Sequence, residues 1–144
     1  MLARPRTAIA LASVVLAACG SRAGPGGSPV PSGPSGSLGV VTLADATSAI
    51  EGLCTMISIP TSNPDSANGI FYDTVHEELH VIAAATQVKD AVSAGTLLQA
   101  KERMESDLLG HPLPRTYPAD AKALEQATRD ALSAIGLSVP ACGA

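Results

Sequence analysis

Apolar residues from position 40 onwards recur at steps of three and four residues, which is the spacing of one face of an α-helix. Thr42 and Asp45 stand three residues apart ahead of the first series, in the pattern of a capping box with Asp in place of Glu. We therefore predict a first helix over about residues 43–57. Its inward positions are Leu43, Ala46, Ile50, Leu53 and Ile57.

The same periodicity predicts three further helices, with approximate bounds of 66–94, 97–109 and 119–136. Gly95 is expected to end the second helix and Thr96 to cap the third. Only the short segments 40–41 and 137–139 could form strands. The chain is therefore predicted to be an all-α protein, a small four-helix bundle. The inward positions of its later helices are Phe71, Val75, Leu79, Ile82 and Ala85; Leu97, Lys101, Met104 and Leu108; and Leu124, Thr128, Ala131 and Ile135.

The first 19 residues have the zones of a signal peptide. Arg4 and Arg6 are positively charged, and residues 7–16 form an apolar run of ten that is too short to span a membrane. The run ends in Leu16-Ala17-Ala18-Cys19, which resembles the lipobox of bacterial lipoproteins. The resemblance implies that the thiol of Cys19 is lipidated and that the signal peptide is cut before it. Acyl chains such as palmitate would then anchor the protein to the cell membrane, facing outside the cytoplasm.

Composition divides the chain into a signal peptide (1–18), the lipidated Cys with a flexible linker (19–39) and a helical domain (40–144). The segment 20–39 holds 7 Gly, 5 Ser and 4 Pro, so it is predicted to be disordered. All 13 acidic residues and only six basic ones lie in the domain, which gives it a net charge of −7. An acidic domain with few aromatic residues is not expected to bind nucleic acid.

Two cysteines remain in the helical domain, Cys54 and Cys142. They have one possible pairing, and a location outside the cytoplasm favours a disulfide bond. The bond would close a loop of nearly the whole domain and would tie down its C-terminal end. We therefore predict a structural disulfide between Cys54 and Cys142, with two free thiols as the alternative.

One pattern could carry chemistry, because His76, Glu77 and His80 spell H-E-x-x-H inside the predicted second helix. In metallopeptidases the two His side chains project in the same direction and bind zinc, and the Glu acts as general base. A third ligand is needed from another helix. Glu102 and Glu105 follow His80 by 22 and 25 residues and could supply it. The cofactor would be zinc or another transition metal.

Two other interpretations of this segment remain. Asp73 with His76, and Glu77 with His80, resemble the Glu-x-x-His ligand pairs of helical carboxylate-bridged metal sites. Alternatively, the segment is a solvated helix face, because at about 100° per residue His76 and His80 fall roughly 140° and 180° from Phe71. We favour the solvated face, which leaves the chemical pattern without a catalytic role.

The sequence thus favours a lipid-anchored envelope protein that is not an enzyme. Its acidic helical domain would bind an envelope protein or a small ligand. A metal-binding envelope protein that uses His76 and His80 is the alternative. A metallopeptidase is a further one, but families of that kind bind substrate along a sheet edge, and no sheet is predicted here.

Overall fold

The computed structural model describes residues 40–143, which form four helices and contain no strand. The prediction of an all-α, four-helix bundle is confirmed, and both segments considered as strands are irregular. Helix α2 is continuous through three parts, of which the middle one is a π-helical turn. The bounds are Leu43–Ile57 for α1; Pro64–Ile70, Phe71–Val75 and His76–Gln87 for α2; Ala91–Leu108 for α3; and Tyr117–Ala134 for α4.

The predicted signal peptide and linker, with the lipobox and Cys19, lie outside the described residues. The described residues correspond to the predicted helical domain without its last residue. Between positions 40 and 143, no helix is both long and apolar enough to cross a membrane.

Helix α1 begins at the capping box that the sequence predicts. The Thr42 hydroxyl accepts a hydrogen bond from the Asp45 N–H at 3.2 Å, and the Asp45 carboxylate accepts one from the Thr42 N–H at 3.0 Å. The hydroxyl of Thr42 also donates to this carboxylate at 2.7 Å. These bonds stabilise the ionised form, so the hydroxyl and then the N–H of Thr42 lower the pKa of Asp45.

The π-helical turn of α2 explains how side chains spaced four residues apart all remain buried in the core. Buried side chains follow one another at every fourth residue, at Ala67, Phe71, Val75 and Leu79. In a regular α-helix each step of four residues rotates the face by about 40°, so the series would drift towards solvent. The wider i to i+5 bonding of the turn accommodates the extra spacing. All four side chains are therefore fully buried.

The boundary between α2 and α3 differs from the prediction. Helix α2 ends before Asp90 and α3 begins directly after it, so Gly95 and Thr96 lie inside α3. The cause is the Asp90 carboxylate, which accepts hydrogen bonds from the N–H groups of Val92 and Ser93 at 3.0 and 3.1 Å. A side-chain cap of this kind fixes a helix start more strongly than a nearby glycine does. Helix α4 also begins slightly earlier than predicted, at Tyr117, because Pro118 suits the first turn.

The four helices enclose one core that is rich in alanine and leucine. Each helix packs against its neighbours in sequence, α1 packs against α4, and α2 contacts α4 across the bundle. Buried polar groups join the helices. The Tyr117 hydroxyl donates to the Met56 carbonyl at 2.9 Å, and the Thr86 hydroxyl donates to the Ala131 carbonyl at 3.1 Å. These bonds satisfy polar atoms that would otherwise destabilise the core.

After α4 the chain reverses and reaches a disulfide bond with α1. Gly136 has φ +85°, and the N–H of Leu137 donates to the Leu132 carbonyl at 2.9 Å, as in a Schellman motif. Cys142 is bonded to Cys54, with their Cα atoms 5.3 Å apart. The predicted pairing is confirmed, and it fastens the C-terminal segment to the bundle.

Candidate functional site

The H-E-x-x-H segment begins directly after the π turn of α2. Nε2 of His76 lies 3.1 Å from Oε1 of Glu105 on α3. Because a carboxylate only accepts hydrogen bonds, Nε2 carries the ring proton and donates a hydrogen bond to Glu105. The ring centroids of His76 and His80 are 4.9 Å apart. The structure thus brings both imidazoles together with one of the two carboxylates that the sequence suggested.

Glu105 has a second partner in Lys101, one turn earlier on α3. The Lys101 ammonium donates to the same oxygen at 2.7 Å, and its side chain is only 7% exposed. Lys101 belongs to the periodic series that located this helix in the sequence, and the structure buries it. A buried ammonium requires a counter-ion, and Glu105 provides it. One carboxylate therefore links His76 of α2 to Lys101 of α3.

The charges of this cluster shift the pKa values of its members. Burial acts to raise the pKa of Glu105, but the hydrogen bond and charge of Lys101, followed by the hydrogen bond from His76, lower it overall. Desolvation lowers the pKa of His80, and the positive charge of Lys101 adds to the effect. At neutral pH the cluster therefore combines an ionised carboxylate with a neutral His80 imidazole.

The other residues considered as ligands do not join this cluster. Asp73, Glu77 and Glu102 are exposed. Among residues 40–143, no group of three or more His, Cys, Asp or Glu side chains is arranged to hold a metal ion. The described residues therefore place two imidazoles side by side, and they do not provide the three-ligand set of a metallopeptidase.

The predicted solvation of this helix face applies to only one of the two histidines. His80 is exposed, as expected, whereas the His76 side chain is 28% exposed. The rings of Phe71 and Tyr72 flank His76, at centroid distances of 5.5 and 5.4 Å. The regular helical wheel does not include the π turn, which changes the rotation between Phe71 and His76. The predicted solvated face therefore describes His80, whereas His76 is partly buried.

A second candidate site lies at the end of the bundle where the described chain begins. It is a groove of about 360 Å³ between the first two described residues, the last turn of α2 and the segment that follows α4. We call it the entry groove; its lining includes Val40, Ala84, Val88, Lys89, Ile135 and Leu137. The sequence interpretation missed this groove, because it treated these apolar residues as short strands or as part of a helix. No local signal marked it, because Ala84 and Val88 lie well inside the predicted second helix.

Comparisons with protein-family models, with curated proteins and with solved structures find no match to this chain. Its function is therefore inferred from its own residues and their geometry. The described residues contribute two candidate binding features, the cluster around His76 and the entry groove.

Proposed function

We propose that this chain is a lipid-anchored protein of the bacterial cell envelope whose acidic helical domain binds a partner or ligand and is not an enzyme. The observation that carries the proposal is Leu16-Ala17-Ala18-Cys19 behind a charged and an apolar zone, in the pattern of a lipobox. Each methylene buried from the acyl chains on Cys19 would contribute about 0.8 kcal/mol, so two or three chains would anchor the protein stably.

The disulfide bond supports a location outside the cytoplasm. Structural disulfides persist in oxidising compartments and are rare in the cytosol. Cys54 and Cys142 pair with each other, which leaves Cys19 as the odd one of the three cysteines. Lipid modification would account for this remaining cysteine.

The surroundings of the H-E-x-x-H segment support binding over catalysis. A peptidase would use Glu77 as its general base in a shielded site, but Glu77 is exposed. Of the two possible third ligands, Glu102 is exposed and Glu105 is the counter-ion of the buried Lys101. Withdrawing Glu105 to bind a metal would leave a buried ammonium without its partner.

Metabolic labelling with a clickable palmitate analogue tests the anchor in bacteria that express the full chain. The wild type is expected to incorporate the label, and mass spectrometry should place the lipid on Cys19. Cys19→Ala should remove the label, whereas the nearby control Ser21→Ala should retain it. A mature chain that carries an unmodified Cys19 would contradict the proposal.

Metal binding at His76 and His80 is a second candidate function, and the contact between His76 and Glu105 favours it. Metal-binding histidines commonly donate their other ring N–H to a carboxylate, which fixes the ring and its tautomer. Glu105 accepts such a bond from Nε2, which leaves Nδ1 of His76 as the atom that can bind a metal. With His80 as the second ligand and water completing the set, we expect weak binding of zinc or copper.

Calorimetric titration of the full chain with zinc tests this candidate. His80→Ala should abolish the binding isotherm, and circular dichroism should show an unchanged fold because His80 is exposed. His111→Ala is the matched control, since His111 is an exposed histidine outside the helices. Zinc binding that is equal in the wild type and in His80→Ala would refute a site at this position.

A further inference from the structure

Aliphatic side chains form the walls of the entry groove, and Lys89 is the charged residue among those that line it. Two of these side chains are open to solvent, since Val40 is 87% exposed and Val88 is 79% exposed. Valine is a residue type that folding ordinarily buries. A cluster of such side chains around a concave surface is typical of a binding site for an apolar ligand.

We propose that the entry groove holds one acyl chain of a membrane lipid, with the anionic end of that lipid beside the Lys89 ammonium. The walls offer apolar contact, and their side chains provide neither an aromatic ring for stacking nor an amide for pairing with a peptide. The volume of about 360 Å³ is near the lower limit of ligand pockets, roughly 300 Å³. A groove of this volume therefore fits a single acyl chain better than a segment of protein. The ammonium complements a carboxylate or phosphate.

The position of the groove in the chain supports a lipid as the occupant. This step rests on the proposed anchor at Cys19. Val40 forms part of the groove, and 20 residues separate it from Cys19. If this segment is as flexible as its Gly and Ser content predicts, its root-mean-square reach is roughly 25 Å, which is less than the thickness of a bilayer at about 40 Å. Anchoring would therefore keep the groove at a high effective concentration of membrane lipid.

Photolabelling of the full, lipidated chain tests the proposal. The protein is reconstituted in phosphatidylcholine vesicles that contain palmitic acid with a photoreactive group, and labelled peptides are identified by mass spectrometry. Label is expected on the last turn of α2 and on residues 135–137. Ala84→Phe fills the groove from an exposed position and should reduce this labelling at least fivefold. Ala123→Phe is the matched control, because Ala123 is an exposed alanine of α4 away from the groove.

The charged end of the ligand is tested with Lys89→Ala. This variant should lose labelling by photoreactive palmitic acid several-fold, and it should keep labelling by the corresponding uncharged alcohol. Equal labelling of the wild type and Ala84→Phe, or label confined to other surfaces, would overturn the proposal.

The Cys19→Ala chain separates this proposal from that of the anchor. If the groove is labelled only in this variant, the acyl chains of the protein itself occupy it, and a membrane lipid is not the ligand. If Cys19 proves to be unmodified, the anchor proposal fails, but groove labelling that Ala84→Phe removes would still support acyl-chain binding. No groove labelling in either the lipidated chain or Cys19→Ala would overturn acyl-chain binding itself.

Discussion

Helix α1 and the π turn of α2 approach each other closely at Gly52. A Cβ added to Gly52 would lie 2.6 Å from Cγ2 of Val75 and 3.5 Å from Cγ2 of Thr74. Val75 is fully buried, and its branched side chain has few rotamers through which to move away. We therefore expect Gly52→Ala to force the two helices apart and to lower the free energy of unfolding.

Two opposing terms set the size of this effect. Replacement of Gly by Ala inside a helix stabilises it by about 1 kcal/mol, whereas overpacking a core costs about 1–3 kcal/mol. Substitution of Gly95 in α3 measures the gain in helix stability alone, because a Cβ there would meet nothing within 4 Å. Gly95→Ala should therefore stabilise the domain, and Gly52→Ala should be less stable than Gly95→Ala by about 1–3 kcal/mol.

Urea unfolding followed by circular dichroism measures this difference, and thermal unfolding should show it as roughly 4–8 °C for each kcal/mol. The substitution Val75→Ala removes the clashing methyl group. In that background Gly52→Ala should lose most of its penalty, which would appear as non-additivity in a double-mutant cycle. Equal effects of Gly52→Ala and Gly95→Ala, or an unchanged penalty in the Val75→Ala background, would refute the steric argument.

Two further predictions concern the disulfide bond and a buried tyrosine. Reduction of the Cys54–Cys142 bond, which spans 88 residues, should lower the free energy of unfolding by about 4.5 kcal/mol in the chain-entropy model, measured by urea unfolding with and without reductant. An unchanged midpoint would contradict it. Burial, with a smaller effect of the charge of Asp107, raises the pKa of Tyr117 to about 12 from 10.0. The unfolded chain then ionises first, so stability should fall as pH rises from about 10 towards 12. Tyrosinate absorbance in a Tyr72→Phe variant reports Tyr117 alone, and ionisation near pH 10 without unfolding would contradict the prediction.

The sequence predicted the fold class because each helix buries one face, and that face appears as a regular spacing of apolar residues. The bounds of α1 agree in full, since both the spacing and the Thr42–Asp45 box are local features. The boundary at Gly95 was wrong because a glycine is a weak stop signal inside a helix, whereas Asp90 supplies two hydrogen bonds to the next one. Local hydrogen bonding decided the boundary.

The sites were harder to predict because they depend on the relative placement of helices. Glu102 and Glu105 stood as equal candidates in the sequence, and only the packing of α3 on α2 brings Glu105 to His76. The π turn altered the exposure of His76 in a way that a regular wheel does not represent. The entry groove is built from three segments that are far apart in sequence, so no local sequence pattern predicts it.

The bond between Cys54 and Cys142 has a consequence for proteolysis. All three connections between helices lie within the loop that it closes. A protease that cuts one of these connections therefore leaves two fragments that remain covalently joined. The nicked domain would keep α2, α3 and α4 attached to α1 and to everything that precedes it in the chain. Under the proposed anchor, a single cut would not shed the domain from the cell surface until the bond is reduced.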